Sequence, residues 1–500
     1  MAKRLAKSVR PASFVSKIFD RLLETIIPIC AWATITLPLW MSPFHPAVVA
    51  YFIIAFDLYF FYKSAQTAFF ATISYKKILE TAKINFFKKM LSLKKMSIIK
   101  HFIIIPSYQE PLYKLEVSLK MITQNDYPSK KIFLVLALEE RENNIHQKAQ
   151  VLYKKFHRYF ADIIISYHKL QPNELAGKAS NQTVAALLLD QYVKKKHWQR
   201  KNVLITICDA DSHLPSNYFS YLTYQYLKDK NKIYHFYWAP VLLYNNFWQL
   251  PLFVRIQATL SSIVRLAFLS YREKLIQIST YSTNLWLLKK INFWDVDIIP
   301  EDWHIYLQAF FTFGEKIRTI PLFTIINGDA VFSGHIMKTL VNRYEQEKRW
   351  AWGVTDVAYS LKKFFITPHI RSLTKIKKIL FVVETHLLWP VSFFILTISA
   401  SIPPLINPVF KRTVLGFLLP KLSALILTLS TVMLFLYVFF DIKLRQKVKQ
   451  NTSFFSLPIL IIQWYFLPLV SFLLSSLPAL EAHTRILLGK KLKYKVTEKV

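Results

Sequence analysis

KNVLITICDADSHLP, residues 201–215, decides how the chain is read. Val203 to Ile207 form an apolar run rich in β-branched residues, the pattern of a strand covered on both faces. Cys208 then leads into two carboxylates one residue apart, Asp209 and Asp211. Side chains alternate along an extended chain, so the two acids point to the same side. In a parallel sheet flanked by helices, ligands bind beyond the carboxyl ends of the strands, where this pair sits. A turn closed by Asx hydrogen bonds explains the same triplet without a ligand, so the surroundings must decide.

Outward from that stretch the pattern repeats. HFIIIPS (101–107), KIFLVLAL (131–138) and ADIIISYH (161–168) read as strands, while LYKLEVSLKMI (112–122) and KASNQTVAALLLDQYV (178–193) read as helices. Strand and helix alternating at this spacing predict a mostly parallel α/β sheet. It falls in a water-soluble block over 75–375, which opens with the basic stretch Lys76–Lys100.

The rest of the chain is apolar. Of 500 residues 53% are hydrophobic, with 40 Phe and 12 Trp, above the usual soluble range. Leu22–Met41 and Val48–Phe70, separated by SPFHP (42–46), are long enough to span a bilayer. A basic start followed by an apolar run also fits a signal peptide, but the run is long and a second span follows at once, so a retained hairpin is expected. Apolar spans return at Ile379–Ala400, Val414–Phe440 and Phe454–Leu477. Five full crossings would put the basic tail outside, against the positive-inside rule. The last segment carries Pro458, Pro468 and Pro478 and is read as re-entrant or as two half-helices, with a cytosolic tail.

This gives an organisation of 1–74 (basic start and two spans), 75–375 (soluble block), 376–480 (two to four spans) and 481–500 (basic tail). PLFVRIQATLSSIVRLAFLSY (251–271) is amphipathic and fits either the membrane interface or a helix on the sheet. KKFFITPHIRSLTKIKKIL (362–380) adjoins a span and is expected in the interface.

The net charge is +35, from 65 Lys+Arg against 30 Asp+Glu. No zinc-finger, helix-turn-helix or RNA-binding signature accompanies it. The basic residues flank apolar spans, as anionic lipid favours, so membrane lipid and not nucleic acid is the expected partner. Cys30 and Cys208 are far apart and show no metal or disulfide spacing, which suits a reduced, cytosolic soluble part.

Four further stretches carry chemistry-bearing residues, each with a plain alternative. IIIPSYQEP (103–111) ends a strand with Ser107, Tyr108 and Glu110, or is simply a turn. In NELAGKASNQ (173–182), Gly177 allows close backbone approach and Lys178 offers a cation at a helix start, although Gly-Lys pairs are common. DIIPEDWHIYLQAFF (297–311) places Glu301 and Asp302 in a first helical turn after Pro300, where carboxylates favour the helix dipole and a general base is also possible. YEQEKRWAWG (344–353) aligns Gln346, Arg349 and Trp350 on one helix face. An amide, a guanidinium and an indole suit sugar and phosphate, or plain packing. With only seven glycines in the chain, Gly177, Gly328, Gly334 and Gly353 beside polar motifs point to backbone constraints.

The order IPSYQE, GK, DAD, PED and QEKRW, framed by spans, resembles the family-2 glycosyltransferases, above all their membrane-embedded cellulose and hyaluronan synthase-like branch. The resemblance covers about residues 100–355 and the membrane frame. It implies a GT-A-type (Rossmann-like) cytosolic α/β domain inserted between transmembrane helices of a multi-pass protein of the inner or plasma membrane. It further implies that Asp211 binds Mg²⁺ or Mn²⁺ with Asp209 assisting, and that Asp302 is the catalytic base. Gln346, Arg349 and Trp350 would hold the acceptor and the leaving diphosphate. Ser107, Tyr108, Glu110, Glu139, Lys178 and Asp209 would line the nucleotide-sugar site. The implied activity is inverting transfer from a UDP- or GDP-sugar to a growing polysaccharide, coupled to export. One departure stands out: where the family ends its second strand with Asp-Asp-Gly, this chain has LALEERE, with Glu139 and Glu140 and no glycine, which implies a reshaped nucleotide pocket. Two other readings remain: single transfer to a lipid-linked acceptor, and a non-catalytic membrane scaffold with a degenerate transferase domain.

Overall fold

Proline opens the second of the two apolar helices that begin the described chain. In the computed structural model, which describes residues 14–445 and 462–492, helix α1 (Phe14–Met41) stops before the 42–45 break, and α2 (Pro46–Ala82) starts with Pro46 in its first turn. A missing N–H costs nothing there. α2 runs past residue 75, the expected start of the soluble block, so the apolar stretch and the residues after it form one continuous helix. A short α3 (Phe86–Leu91) follows, capped by Asn85 accepting from Lys88 N–H.

The soluble block is then β1 (Lys100–Ser107), α4 (Leu112–Thr123), β2 (Ile132–Glu139), α5 (Ile145–Phe156), β3 (Asp162–His168), α6 (Lys178–Lys195), β4 (Val203–Ile207) and α7 (Tyr218–Lys228). After it come β5 (His235–Trp238), β6 (Val241–Leu242), α8 (Leu252–Phe268), β7 (Tyr281–Asn284), α9 (Leu285–Lys290) and α10 (Glu301–Phe313). The block closes with β8 (Arg318–Pro321), β9 (Ile326–Asn327), α11 (Ile336–Ala351) and α12 (Thr355–Ile366). Seven strands form one mixed sheet in the order β3-β2-β1-β4-β7-β5-β8. β1 to β4 are parallel, as expected, whereas β7 runs antiparallel to both its neighbours. β6 and β9 pair separately. Apolar side chains cover both faces: Ile104, Val135 and Ile205 meet α6 on one side, and Ile103, Leu136 and Leu204 meet α4, α5 and α7 on the other.

The strand order reverses direction between β1 and β4, so the loops leaving their carboxyl ends diverge and open a crevice. Register places Ile207 beside Ile104, three residues short of Ser107 at the end of β1. Asp209 and Asp211 therefore lie in that crevice.

The amphipathic stretch at 362–380 is not one helix. α12 ends at Ile366 and α13 (Ser372–Thr397) starts after a break at 367–371, because Pro368 disfavours helical geometry at Thr367. α8 packs along α2, sealed where Ser74 Oγ meets Ser270 Oγ at 2.7 Å and Phe70 meets the Tyr271 ring edge-on.

Short helices α14 (Ile402–Ile406) and α15 (Pro408–Lys411) lead into α16 (Val414–Leu444). α16 runs parallel to α2: Asp57 meets Ser423, Ser64 O accepts from Tyr437 Oη, and Tyr75 meets Phe440. The final run, Gln463–Leu487, is long and apolar enough to cross a membrane, as are α1, α2, α13 and α16. Its beginning packs on α8 (Phe466 on Phe253) and its middle on α13 (Phe472 on Phe393 and Phe394). Its end returns to α11, where Tyr344 Oη donates to Glu481, and to Arg21 of α1. The expected start of this segment at Phe454, including Pro458, lies outside the described residues.

Candidate active site

A cavity of about 920 Å³ opens at the crevice between β1 and β4 and continues between α2, α13, α16 and the final run. Every residue to which the resemblance gives a site role lines it: Ser107, Tyr108, Glu110, Glu139, Lys178, Asp209, Asp211, Asp302, Gln346, Arg349 and Trp350.

At its sheet end the acids are organised around one lysine. Lys178, the first residue of α6, reaches Asp209 at 2.6 Å and Glu301 at 2.9 Å. Burial alone would pull its pKa down, but the two carboxylates outweigh burial and hold it well above the ordinary lysine value. Asp302 has both oxygens fixed by backbone donors, Ser279 N–H at 2.8 Å and its neighbour Trp303 N–H at 2.9 Å. Ser279 also donates its hydroxyl to Asp209. Ser279 has φ +69, an uncommon conformation for a non-glycine residue, and it joins the two acids. Asp302 opens to the cavity but is otherwise enclosed by protein. That burial raises its pKa above the usual carboxylate value, against the opposing Ser279 N–H and Lys178. Burial raises Glu301 as well, with Lys178 opposing. A carboxylate with a raised pKa and a fixed orientation suits a general base.

Asp211 accepts from Asp329 N–H at 3.3 Å, and Asp329 is held by Lys114 at 2.9 Å and Asn245 at 3.1 Å. Among the described residues no group of three His, Cys, Asp or Glu side chains is arranged to hold a metal ion. Magnesium sites on diphosphates commonly use one or two carboxylates, with phosphate and water completing the shell. Asp211, with Asp209 beside it, fits that smaller donor set.

Beside the ends of β1 and β2 the loops that follow these strands are tied together. Glu142 accepts from Gln109 N–H and from Lys148, both at 2.6 Å. Glu139 is enclosed, with one oxygen on His168 Nδ1 at 3.0 Å and the other on Arg141 at 3.1 Å. The Arg141 guanidinium lies 4.6 Å from the centre of the Tyr108 ring.

At the helical end α11 and α8 hold a buried polar cluster that the sequence motif only partly marks. Arg343, one turn before Gln346, bonds Glu347, Gln346 and Gln257. Its guanidinium lies 4.8 Å from the Trp350 ring centre, and that of Arg265 lies 5.4 Å away, so the indole has two cation–π partners. Burial, with the Arg343 charge adding to it, pulls Arg265 down to about 10, which leaves it cationic at neutral pH. On the buried side of α10, His304 sits between Asp356 at 2.6 Å and Asp295 at 3.1 Å. Burial disfavours its charge, but the two acids prevail and hold it at about 9.

Sequence reading missed Ser279, Arg265, Arg343, Glu347, Gln257, Asp329, Arg141 and His304. Ser279, Asp329 and Arg343 lie outside the quoted stretches; the other five lie inside them but carry no sequence signal of their own, and only the fold shows what they touch.

The profile of the glycosyl transferase family group 2 matches residues 204–480. That range includes Asp209, Asp211, Asp302 and the Gln346–Trp350 face, and spans more than half of the chain. The chain belongs to this glycosyltransferase family. No curated protein matches it in sequence. Among solved structures, it is similar to the mannosyltransferase PcManGT from Pyrobaculum calidifontis in complex with GDP-Man and Mn²⁺, at 13% identity over 79% of this chain and 100% of that one, with a TM-score of 0.42. It is also similar to S. aureus TarS 1-349 in complex with UDP-GlcNAc, at 12% identity over 67% and 90% of the two chains, with a TM-score of 0.37. As a family-2 glycosyltransferase, the chain carries its acids at the sheet end of the cavity and its arginines at the helical end.

Proposed function

We propose that this glycosyltransferase is a membrane-embedded inverting enzyme, close in design to the cellulose and hyaluronan synthases, that moves a sugar from a UDP- or GDP-sugar to a growing glycan. The observation that carries the reading is the single cavity. It holds Asp302, Lys178, Asp209, Asp211, Arg349 and Trp350 together and runs on between the apolar helices.

Asp302 accepts the proton of the acceptor hydroxyl as that oxygen attacks the anomeric carbon. The bond to the nucleoside diphosphate breaks on the opposite face, so one displacement inverts the centre. Ser279 N–H and Trp303 N–H keep the carboxylate aimed. Lys178 and Arg349 attract the departing diphosphate, and Trp350 offers an apolar face to a sugar ring. Asp211, with Asp209, would hold Mg²⁺ or Mn²⁺, which supplies charge neutralisation on the leaving group.

The inter-helix part of the cavity supports a glycan acceptor and its export. It is lined by the aromatic Trp389 and Phe393 and by the hydroxyls of Ser392, Thr397, Thr431 and Ser471, groups that stack on and bond to sugars. Leu388, Leu396 and Leu427 in the same wall favour a second reading, single transfer to a lipid-linked acceptor. Product length separates the two: only single-sugar lipid products would sink the synthase reading. The path of the final run, from α8 to the depth of Phe472 and back to α11, supports a re-entrant segment with the soluble block and tail on the cytosolic side of the inner or plasma membrane.

The test is nucleotide release by the detergent-purified chain with Mg²⁺ or Mn²⁺, over a panel of UDP- and GDP-sugars. Release with one donor, lost in Asp302→Asn, is expected. Silence with every donor, in native membranes as well, would leave the scaffold reading.

A further inference from the structure

The LEERE departure at the end of β2 has a built counterpart in the fold. Resting on the donor-site reading above, we propose that Arg141 reads the base of the nucleotide-sugar, and that it selects bases carrying a ring carbonyl, uracil or guanine, over the amino bases cytosine and adenine.

Three observations carry this. First, the acid at the strand end is not available to read a base: Glu139, with its side chain 2% exposed, has one oxygen on His168 and the other on Arg141. Its effect passes to Arg141, whose side chain is 35% exposed, lines the cavity and stacks on Tyr108. Second, the wall is rigid. Glu142 accepts from Gln109 N–H of the β1 loop and from Lys148 of α5, and Lys148 also donates to Glu110 O of the β1 loop, so the loops after β1 and β2 cannot part without losing Gln109–Glu142 and one of the two Lys148 contacts. Third, the same end of the cavity holds buried polar atoms with no protein partner, Ser107 Oγ and Asn181 Oδ1. Such atoms are costly unless a ligand engages them, and neighbouring Asp209 sits where the diphosphate would leave.

Guanidinium nitrogens donate and never accept. Uracil O4 and guanine O6 are acceptors, whereas cytosine and adenine present an amine at the same position. A donor fixed by Glu139 and Tyr108 bonds the first pair and opposes the second.

The experiment is calorimetric titration of the full detergent-purified chain with UDP, GDP, CDP and ADP in the presence of Mg²⁺, which reads binding apart from turnover. UDP should bind more tightly than CDP, or GDP more tightly than ADP, by about tenfold or more, as a lost charged hydrogen bond implies. Arg141→Met should bring the pair within about twofold, and Arg141→Lys should restore part of the preference. Equal binding of the carbonyl and amino members to the unaltered chain would overturn the proposal while leaving the donor-site reading intact. So would an Arg141→Met chain that keeps the preference or weakens all four nucleotides alike. Binding of none of the four, with the chain monodisperse and Mg²⁺ present, would overturn both.

Discussion

The two ends of the cavity solve opposite charge problems in the same way. At the sheet end a lysine sits among acids: Lys178 bridges Asp209 and Glu301, while Asp302 waits beside them on backbone donors. At the helical end an acid sits among arginines: Glu347 pairs Arg343 and faces Arg265, with Trp350 between the two guanidiniums. In each, one opposite charge makes a crowd of like charges tolerable in a place from which water is largely excluded. In the function proposed above, the excess charge that remains serves a proton or cation at one end and an anion at the other. The difference lies in what fixes the excess. Asp302 is held by backbone N–H groups, whereas the arginines are held by side chains of two helices, α8 and α11, that also pack against the apolar final run.

The sharpest way to break that comparison is Asp302→Asn. Loss of a positioned base costs about 10²–10⁴ in rate, read as nucleotide release. Stability should move the other way. The folded carboxyl has its pKa raised, chiefly by burial, so above both folded and unfolded values its ionised form costs folding free energy, and the amide removes that cost. The expected melting temperature at neutral pH is unchanged or higher. The unaltered enzyme should also lose kcat/KM as pH falls through a value above the ordinary aspartate range. A fall in melting temperature as large as a core deletion would show that Asp302 is a structural residue.

Lys178→Met and Glu347→Gln then test whether the two ends are equivalent. Each removes the central charge of its cluster, and breaking a buried pair costs about 3–5 kcal/mol. Both should lower the denaturation midpoint by similar amounts. Among molecules still folded, Lys178→Met should lose donor binding, while Glu347→Gln should keep it and lose acceptor use. If both variants lost the nucleotide alike, the division into a donor end and an acceptor end would be wrong.

How much of this could be read beforehand follows the same division. The four parallel strands are long and apolar, from Lys100–Ser107 to Val203–Ile207, and their pattern is local. So is the spacing of Asp209 and Asp211, or of Gln346, Arg349 and Trp350. β7, Tyr281–Asn284, is four residues of mostly polar side chains, and only its position between β4 and β5 makes it a strand. Ser279 acquires its role from that same segment, by pointing a hydroxyl at Asp209 and an N–H at Asp302. Arg343 and Arg265 lie almost 80 residues apart in sequence and meet across one indole. No periodicity announces such pairs, because they depend on how α8 and α11 dock. Glu139 was expected at the nucleotide, and it lines the cavity, but its partners His168 and Arg141 come from a neighbouring strand and loop.

A smaller effect tests what holds α10, and with it Asp302, in place. His304 is cationic between Asp356 and Asp295, with a folded pKa of about 9 against about 6.5 when unfolded. A raised folded value means the contribution is complete below about pH 6.5 and is lost as pH rises through about 9. The melting temperature should fall across that window, and His304→Gln should flatten the step. An identical slope in the variant would mean the step belongs to other groups.

Gly353 gives the mildest test, because it asks only how closely the turn after α11 and the apolar helix α13 approach. A Cβ at this position would lie 2.8 Å from His386 Cε1 and 3.3 Å from its Nε2. His386, on α13, is buried and packs edge-on to Trp303, the residue after Asp302. The ring therefore has little room to retreat, and any movement it makes is passed to the turn that aims the base. Gly353→Ala should cost about 1–3 kcal/mol, the usual range for overpacking, read as a lower denaturation midpoint. Turnover should fall more than donor affinity, because Lys178 and Asp209 are outside the displaced contacts while Trp303 is within them. A variant that lost donor affinity and turnover in equal proportion would show that α13 supports the whole cavity and not the base alone.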